Sequence, residues 1–389
     1  MNYIVTSPYY PANFQNFSHR LKANGVNVLG IGQEPYEQLN PEIRESLTEY
    51  YRVNNLEDLN EVTRAVAFFF HKYGPIDRLE SHNEYWLELD AALREQFNIP
   101  GVRPTDLNKT KYKSIMKQHF QQAGVPVVPG LVVHTKAEID AAIAQLNLPL
   151  IAKPDNGVGA AATYKLATPH DVEHFRQTWD ESTAYFLEQF VSYPEVCTYD
   201  GLIDAEGNIV FETSLTYYYA PLRLVLERLD NAFVIEKEID PTLRAYGHKM
   251  IKAFGMKERF FHIELFRTPD NDYIAIEYNN RPAGGFAVDV YNYAHSIDLY
   301  QLWATVVTKQ PIPFQTPHGV YCLAIARRDE HTYRLSEHEV LTRYANELKM
   351  TDRIPHAFAD LLGDTLYVFT SPDKALIDEM VQVIGERVN

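Results

Sequence analysis

The segment HIELFRTPDNDYIAIEYNNR, residues 262–281, constrains the fold more than any other stretch of the chain. Two short apolar runs flank the turn-like TPDND, so the segment reads as an antiparallel hairpin turning between Pro269 and Asp272. Residues i and i+2 of a strand point the same way, so Glu277, Asn279 and Arg281 share one face of the second strand. Pairing across the turn brings Glu264 opposite them. Two carboxylates and an amide are hard oxygen donors that suit Mg²⁺, an ion that keeps several waters and takes further ligands from nucleotide phosphates. Arg281, two residues beyond the amide, adds a cation for a phosphoryl group. The plain alternative is a two-stranded ribbon whose acids face solvent; the four residues together favour the metal site.

A chain of 389 residues has room for two or three domains and a substantial core. Its first hundred residues alternate strand and helix. NYIVTS is a buried strand, NFQNFSHRLKANG an amphipathic helix closed by Gly25, and VNVLGIG a second strand. A helix from Asn60 to Tyr73, a strand near IDRLES and a helix from Glu84 to Phe97 follow. This βαβ order predicts a parallel sheet with helices on its faces. A dinucleotide-binding reading is weak here, because Gly30 and Gly32 come after the second strand and the third glycine of the fingerprint is missing.

From Thr105 the chain changes character. TDLNKTKYKSIMKQHFQQAG predicts one lysine-rich helix, N-capped by Thr105 or Asp106 and ended by Gly124. VPVVPGLVV is extended, TKAEIDAAIAQL is a helix capped by Thr135, and PLIAKPDNGVGAAATYKL is strand, glycine-containing loop, strand. TPHDVEHFRQTW is a helix and YFLEQFV a strand. CTYDGLID and NIVFETSLTYYY alternate in period two around DAEGN and predict a second hairpin. The helix PTLRAYGHKMIKAFG leads into the Glu264/Glu277 hairpin, and Asp298 to Val307 is helical. After Pro311 comes a last small unit, with GVYCLAIAR and TLYVFTS as strands and a C-terminal helix.

A formal charge of −16 argues against extended nucleic-acid backbone or an anionic membrane as the main partner, since both need a basic surface. Two cysteines, Cys197 and Cys322, form no disulfide framework and point to a reducing cytoplasm. The start MNYIVTSPYYPANF lacks a basic region followed by an apolar run, and no apolar stretch is long enough to span a bilayer, so neither secretion nor a membrane span is expected.

Lys153 ends the apolar strand PLIAKP and precedes DNGVGAAAT. A lysine buried there needs an anion, and a small-residue loop lets backbone amides approach phosphates, so the pair reads as a phosphate clamp. Gly157, Gly159 and Ala162 match GxGxxA as letters, but that fingerprint needs a helix starting at the loop, and this one runs into TYKL. In YFLEQFVSYPEV, the backbone of Gln189, Phe190 and Val191 can meet an adenine edge while a carboxylate takes ribose hydroxyls; alone, the segment is a strand with acidic ends at Glu188 and Glu195.

The order of these pieces matters more than any one. Lys113 on the entry helix, the IAKP lysine, the small-residue loop, Glu188 with Glu195, Glu264, and Glu277-x-Asn279-x-Arg281-Pro282-x-Gly284-Gly285 together resemble the ATP-grasp superfamily over roughly residues 1–310. The resemblance implies an α/β and α+β multidomain protein. A Rossmann-like parallel α/β domain (1–104) would precede an ATP-grasp domain (105–310, with a lid near 130–188), followed by a small C-terminal α+β domain (311–389). It further implies that Lys113 and Lys153 contact ATP phosphates and that Gly157 to Ala162 form the loop over them. Glu188 and the 189–191 backbone would face adenine, with Glu195 at the ribose. Glu264, Glu277 and Asn279 would hold Mg²⁺, for which Mn²⁺ could substitute, and Arg281 would meet the transferring phosphoryl group. Two departures stand out: Asp155 puts a negative charge near the phosphates, and Ala283 stands where glycine is usual.

The function so implied is an ATP-dependent carboxylate–amine ligase working through an acyl phosphate. A bicarbonate-activating carboxylase or carbamoyl-phosphate-type enzyme and a non-catalytic nucleotide-binding protein are the alternatives. Its partners would be small carboxylates and amines, with no nucleic acid and no membrane; a homodimer is compatible. Arg223, Gly284 and Gly285 are candidates for the substrate pocket, while His262 and His295 read as structural histidines.

Overall fold

The computed structural model describes residues 1–156, 162–192, 195–220, 223–224, 227–312 and 319–388. Three sheets organise the described residues. The amino-terminal one is parallel: β1 (Asn2–Thr6), β2 (Asn27–Gly32), β3 (Glu49–Arg52) and β4 (Arg78–Glu80) run in the order β3-β2-β1-β4. Buried residues at nearly every position of β1 and β2 reflect helix cover on both faces. The helix Leu59–Tyr73 forms as expected, with the Asp58 carboxylate accepting from the Asn60 N–H at 2.9 Å as its cap. The βαβ pattern missed β3, whose EYYR carries no apolar run.

The second sheet is the small antiparallel one, β5 (Gly130–Val133), β6 (Leu150–Pro154), β7 (Tyr164–Leu166) and β8 (Tyr185–Gln189), in the order β5-β8-β6-β7. Helices Ile139–Leu146 and Pro169–Thr178 share its core through Ile139, Ala142, Val172 and Phe175.

The third has eight strands. β9 (Glu195–Ile203), β10 (Ile209–Tyr217), β11 (Ala232–Ile235), β12 (Arg259–Arg267), β13 (Tyr273–Asn279), β14 (Tyr321–Arg327), β15 (Leu348–Arg353) and β16 (Thr365–Ser371) are ordered β13-β12-β9-β10-β11-β14-β16-β15. The strands after Pro311 therefore extend the sheet that carries the hairpin, through the pairing of β11 with β14. Among the described residues, no helix is long and apolar enough to cross a membrane.

One expected element divides in two. The lysine-rich helix is Pro104–Lys111 followed by Lys113–Gln122, because Tyr112 has extended backbone (ψ 116°). Its N-cap position is Arg103 rather than Thr105 or Asp106; Pro104 starts the helix and the Asp106 carboxylate reaches back to the Arg103 N–H at 3.0 Å.

Candidate active site

The hairpin forms and Glu264 comes opposite the second strand's acidic face as expected, by way of a register shift between Glu264 and Leu265. Glu264 pairs with Glu277 and His262 with Asn279, while on the other side of β12 Glu264 meets Thr198 and His262 meets Asp200. Directly paired residues point to one face. That face therefore carries Glu264, Glu277, Asn279, His262, Asp200 and Thr198. The opposite face, with Tyr199, Ile263 and Leu265, is buried under Leu243, Met250 and Phe254 of the helix Pro241–Phe254.

The helix Lys113–Gln122 lies against β13, where the Tyr278 N–H points at the Met116 sulfur, 3.1 Å away. This brings the buried Lys113 ammonium to 3.6 Å from Glu277 Oε1. One turn along, Lys117 approaches Glu188 Oε2 at 3.1 Å and donates to the Ala275 carbonyl at 3.4 Å. Lys153 comes from β6 of the small sheet. Phe186 of β8 is its direct cross-strand partner, which makes Glu188 its diagonal neighbour, and the two side chains form an ion pair. Burial alone would raise the Glu188 carboxyl, but the Lys153 and Lys117 ammonium groups hold it at about 2. Lys117 is pulled below its ordinary value by desolvation, against the pull of Glu188.

Asp155, the residue with the awkward charge, is engaged by the start of the Lys113–Gln122 helix. Its Oδ1 accepts from the Ser114 N–H and its Oδ2 from the Ser114 hydroxyl, both at 2.8 Å, while its carbonyl accepts from the Lys113 N–H at 2.8 Å. It is the N-terminal cap of the Lys113–Gln122 helix. Lys113 and Lys153 thus sit on two elements joined at this one residue.

His262 is buried between two carboxylates, with Asp200 Oδ1 at 2.5 Å from Nδ1 and Glu264 Oε1 at 3.3 Å from Nε2. Desolvation alone would lower this imidazole, yet Asp200 and Glu264 lift it to about 9, so it is cationic at neutral pH. Burial raises the Glu264 carboxyl, and His262, Arg281 and Lys153 outweigh it, leaving the group below its ordinary value. Arg281 donates from Nε to Glu84 Oε2 at 2.5 Å and from Nη1 to the Pro282 carbonyl at 2.9 Å. His295 is structural as expected: burial lowers it to about 4 and its Nε2 meets Thr213 Oγ1 at 2.8 Å.

Other candidates lie apart from this cluster. The Gln189 and Phe190 N–H groups are already bonded to the Pro129 and Pro149 carbonyls, each at 3.0 Å, so two of the three amides offered to adenine are spent inside the protein. Phe190 lies under Lys165, whose ammonium is 3.9 Å from the ring centre, and Val191 follows β8 partly exposed. Glu195 starts β9 on the other face of the sheet, opposite Arg267 and bonded to it at 2.9 Å. Arg223 holds Glu227 one turn on, at 2.8 and 2.7 Å, on exposed ground. Gly284 has open space where a side chain would be, and Gly285 has φ 62°. Ala283 is buried in the core. Gly157 and Gly159 lie outside the described residues.

Four contributors escaped the sequence reading: Lys117, Glu84, Asp155 as a cap, and the Asp200–His262 pair. Lys117 could have been found, since it lies four residues after Lys113 on the same helix face. Glu84 is far away in sequence and carries no local signal.

The donor set suits a magnesium nucleotide. Among the described residues no three His, Cys, Asp or Glu side chains converge as a metal cage, so the hairpin offers two carboxylates and an amide, with Lys113, Lys153 and Lys117 close by. An ion that keeps waters and takes phosphate oxygens fits such a partial shell.

No family model matches the chain. It is 26% identical over 249 residues, 60% of its length, to the L-arginine-specific L-amino acid ligase of Bacillus subtilis. Its matches span 58% and 49% of the lengths of two curated relatives, about half. Its fold is similar to that of L-amino acid ligase from Bacillus licheniformis, with a TM-score of 0.72 at 16% identity over 98% of this chain and 96% of that one. It is also similar to the biotin carboxylase domain of Hydrogenobacter thermophilus 2-oxoglutarate carboxylase, solved as a dimer with MgADP, ADP and bicarbonate (TM-score 0.73, 14% identity, 99% of this chain and 90% of that one). These structural neighbours are ATP-grasp ligases, and the chain shares their fold.

Proposed function

We propose that the chain is an ATP-dependent carboxylate–amine ligase that forms an amide or peptide bond and releases ADP and phosphate. The observation that supports this reading is the 3.6 Å approach of Lys113 to Glu277, a cation beside a hairpin carboxylate, as a site for a magnesium nucleotide would need. Its relatedness to an L-amino acid ligase supports an amino acid as a substrate. In this reading residues 1–104 form a preceding domain, 105–310 the nucleotide domain with a lid near 130–188, and 311–389 the carboxy-terminal part.

Lys113 and Lys153 bind and align the triphosphate, with Lys117 adding positive charge behind Glu188. Glu264, Glu277 and Asn279 would hold Mg²⁺, which supplies charge that screens the phosphoryl oxygens. A carboxylate oxygen of the substrate attacks the γ-phosphorus, the bond to the β-phosphate oxygen breaks, and ADP leaves with that electron pair. The amine nitrogen then attacks the acyl carbon, phosphate departs with the C–O electron pair, and the amine loses a proton. Arg281 orients the acid and steadies the charge on the oxygens being transferred. Alignment and fixed cations supply most of the effect for such transfers.

ADP release by the purified chain, measured with Mg²⁺ or Mn²⁺ against single amino acids and amino-acid pairs, tests the proposal. Release that needs bicarbonate and ignores amino acids would sink it and favour a carboxylase.

A further inference from the structure

The parallel sheet changes direction beside β1. The chain builds outward through β2 to β3, then returns to set β4 on the other side of β1. In sheets of this kind a ligand crevice lies outside the carboxyl ends of the strands at such a switch. Ser7 follows β1 there and His82 follows β4; both are buried, and both hold positive φ, 52° and 59°. Side chains disfavour that backbone region, and it persists where surrounding structure enforces it, commonly at ligand sites.

Two residues past His82, Glu84 turns its carboxylate onto Arg281 at 2.5 Å, with 25% of the Glu84 side chain and 19% of the Arg281 side chain exposed. A cavity of about 530 Å³ adjoins Glu84, lined in large part by apolar side chains that include Leu56, Trp86, Leu87 and Leu107. Asn13 donates to the Gly285 carbonyl at 3.0 Å and to Asp289 at 2.8 Å, which ties this edge of the parallel sheet to the turn after Arg281.

We infer that Glu84 determines specificity for the activated acid: it holds the ammonium group of an α-amino acid whose carboxylate lies against Arg281, while the cavity takes the side chain. An α-amino acid carries opposite charges one carbon apart. It can replace the Arg281–Glu84 contact by presenting its carboxylate to the arginine and its ammonium to the glutamate. Bicarbonate or a simple carboxylic acid offers only the first charge and strands Glu84 without a cation. The inference rests on the ligase reading above and narrows its substrate to the α-amino acids.

The test uses the purified full chain with Mg²⁺ and ATP, and hydroxylamine as the accepting amine, which captures the acyl phosphate. ADP release is measured for each L-amino acid that supports it and for the same acid with hydrogen in place of the α-amino group. The wild type is expected to prefer the amino acid by roughly 10- to 100-fold in kcat/KM, the worth of one charge-assisted hydrogen bond. In Glu84→Gln the KM for the amino acid rises by a similar factor, the des-amino acid, which no longer strands a carboxylate, binds at least as well as before, and the preference disappears; Glu84→Asp keeps part of it. An equal loss for both acids in a Glu84→Gln variant that still binds MgADP in calorimetry overturns the inference. So does a preference that survives the substitution. Should that variant not fold, the wild type decides alone: equal kcat/KM for the two acids overturns the assignment. ADP release that responds to bicarbonate and to no amino acid removes the ligase reading itself, and it is visible in the wild type before any variant is made.

Discussion

Glu264 and Glu277 stand directly opposite each other across the β12–β13 ladder, with the His262–Asn279 pair two positions along on the same face. Two like charges so placed repel unless a cation lies between or beside them. Glu277→Ala should lower ADP release by about 10²-fold or more, the scale seen when one charge-stabilising group is lost from a transferring centre. Assays across a range of Mg²⁺ concentration check this, and full activity at low Mg²⁺ would exclude Glu277 as a ligand.

Glu188 neutralises the buried Lys117 and the part-buried Lys153. Removing one partner of a buried ion pair costs about 3–5 kcal/mol, so Glu188→Gln should lower stability by that order in denaturant unfolding at pH 7. Its folded carboxyl is held at about 2 against an ordinary 4.5, so the contribution is complete above pH 4.5 and lost as pH falls through about 2. The gap between wild type and variant should narrow across that interval and stay constant from pH 5 to 8.

Asp155 caps the helix that begins at Lys113. Asp155→Ala should cost about 1 kcal/mol in unfolding experiments and, on the proposal that Lys113 and Lys153 bind phosphate, weaken ATP binding as both lysines lose their shared anchor. Calorimetric titration with MgADP reads the second effect; unchanged affinity would show that the lysines are held by other contacts.

Gly285 has φ 62°, and a β-carbon built there would sit 3.0 Å from Leu362 Cδ1. Gly285→Ala should therefore lose about 1–2 kcal/mol from the left-handed backbone alone. Thermal melting tests the cost, and Gly284→Ala serves as the control because a β-carbon there meets nothing within 4 Å.

Much of the architecture was legible in local pattern. Period-two alternation marked β9 with β10 and β12 with β13, and the turn at Pro269 to Asp272 marked the hairpin; the register shift between Glu264 and Leu265, which sets Glu264 opposite Glu277 rather than Ile276, had no such signal. Cap chemistry marked Thr135 and Thr168. Pattern failed where backbone conformation departed from composition: Tyr112 breaks a segment rich in helix formers, and EYYR forms an edge strand without an apolar run. It failed also for charge. Arg281 carries the charge expected of a phosphate site and Asp155 the opposite one, but whether such a side chain faces a nucleotide or another part of the protein depends on which element packs beside it.

By itself the sequence determined what is carried by neighbours within a strand or a turn: the hairpin that bears both glutamates, the amide two residues past Glu277, and the lysine near the end of β6. Tertiary structure alone decided which groups meet across elements, because hairpin spacing is set by the local pleat while Lys117 with Glu188, Lys113 with Glu277 and Glu84 with Arg281 depend on the packing of separate sheets and helices.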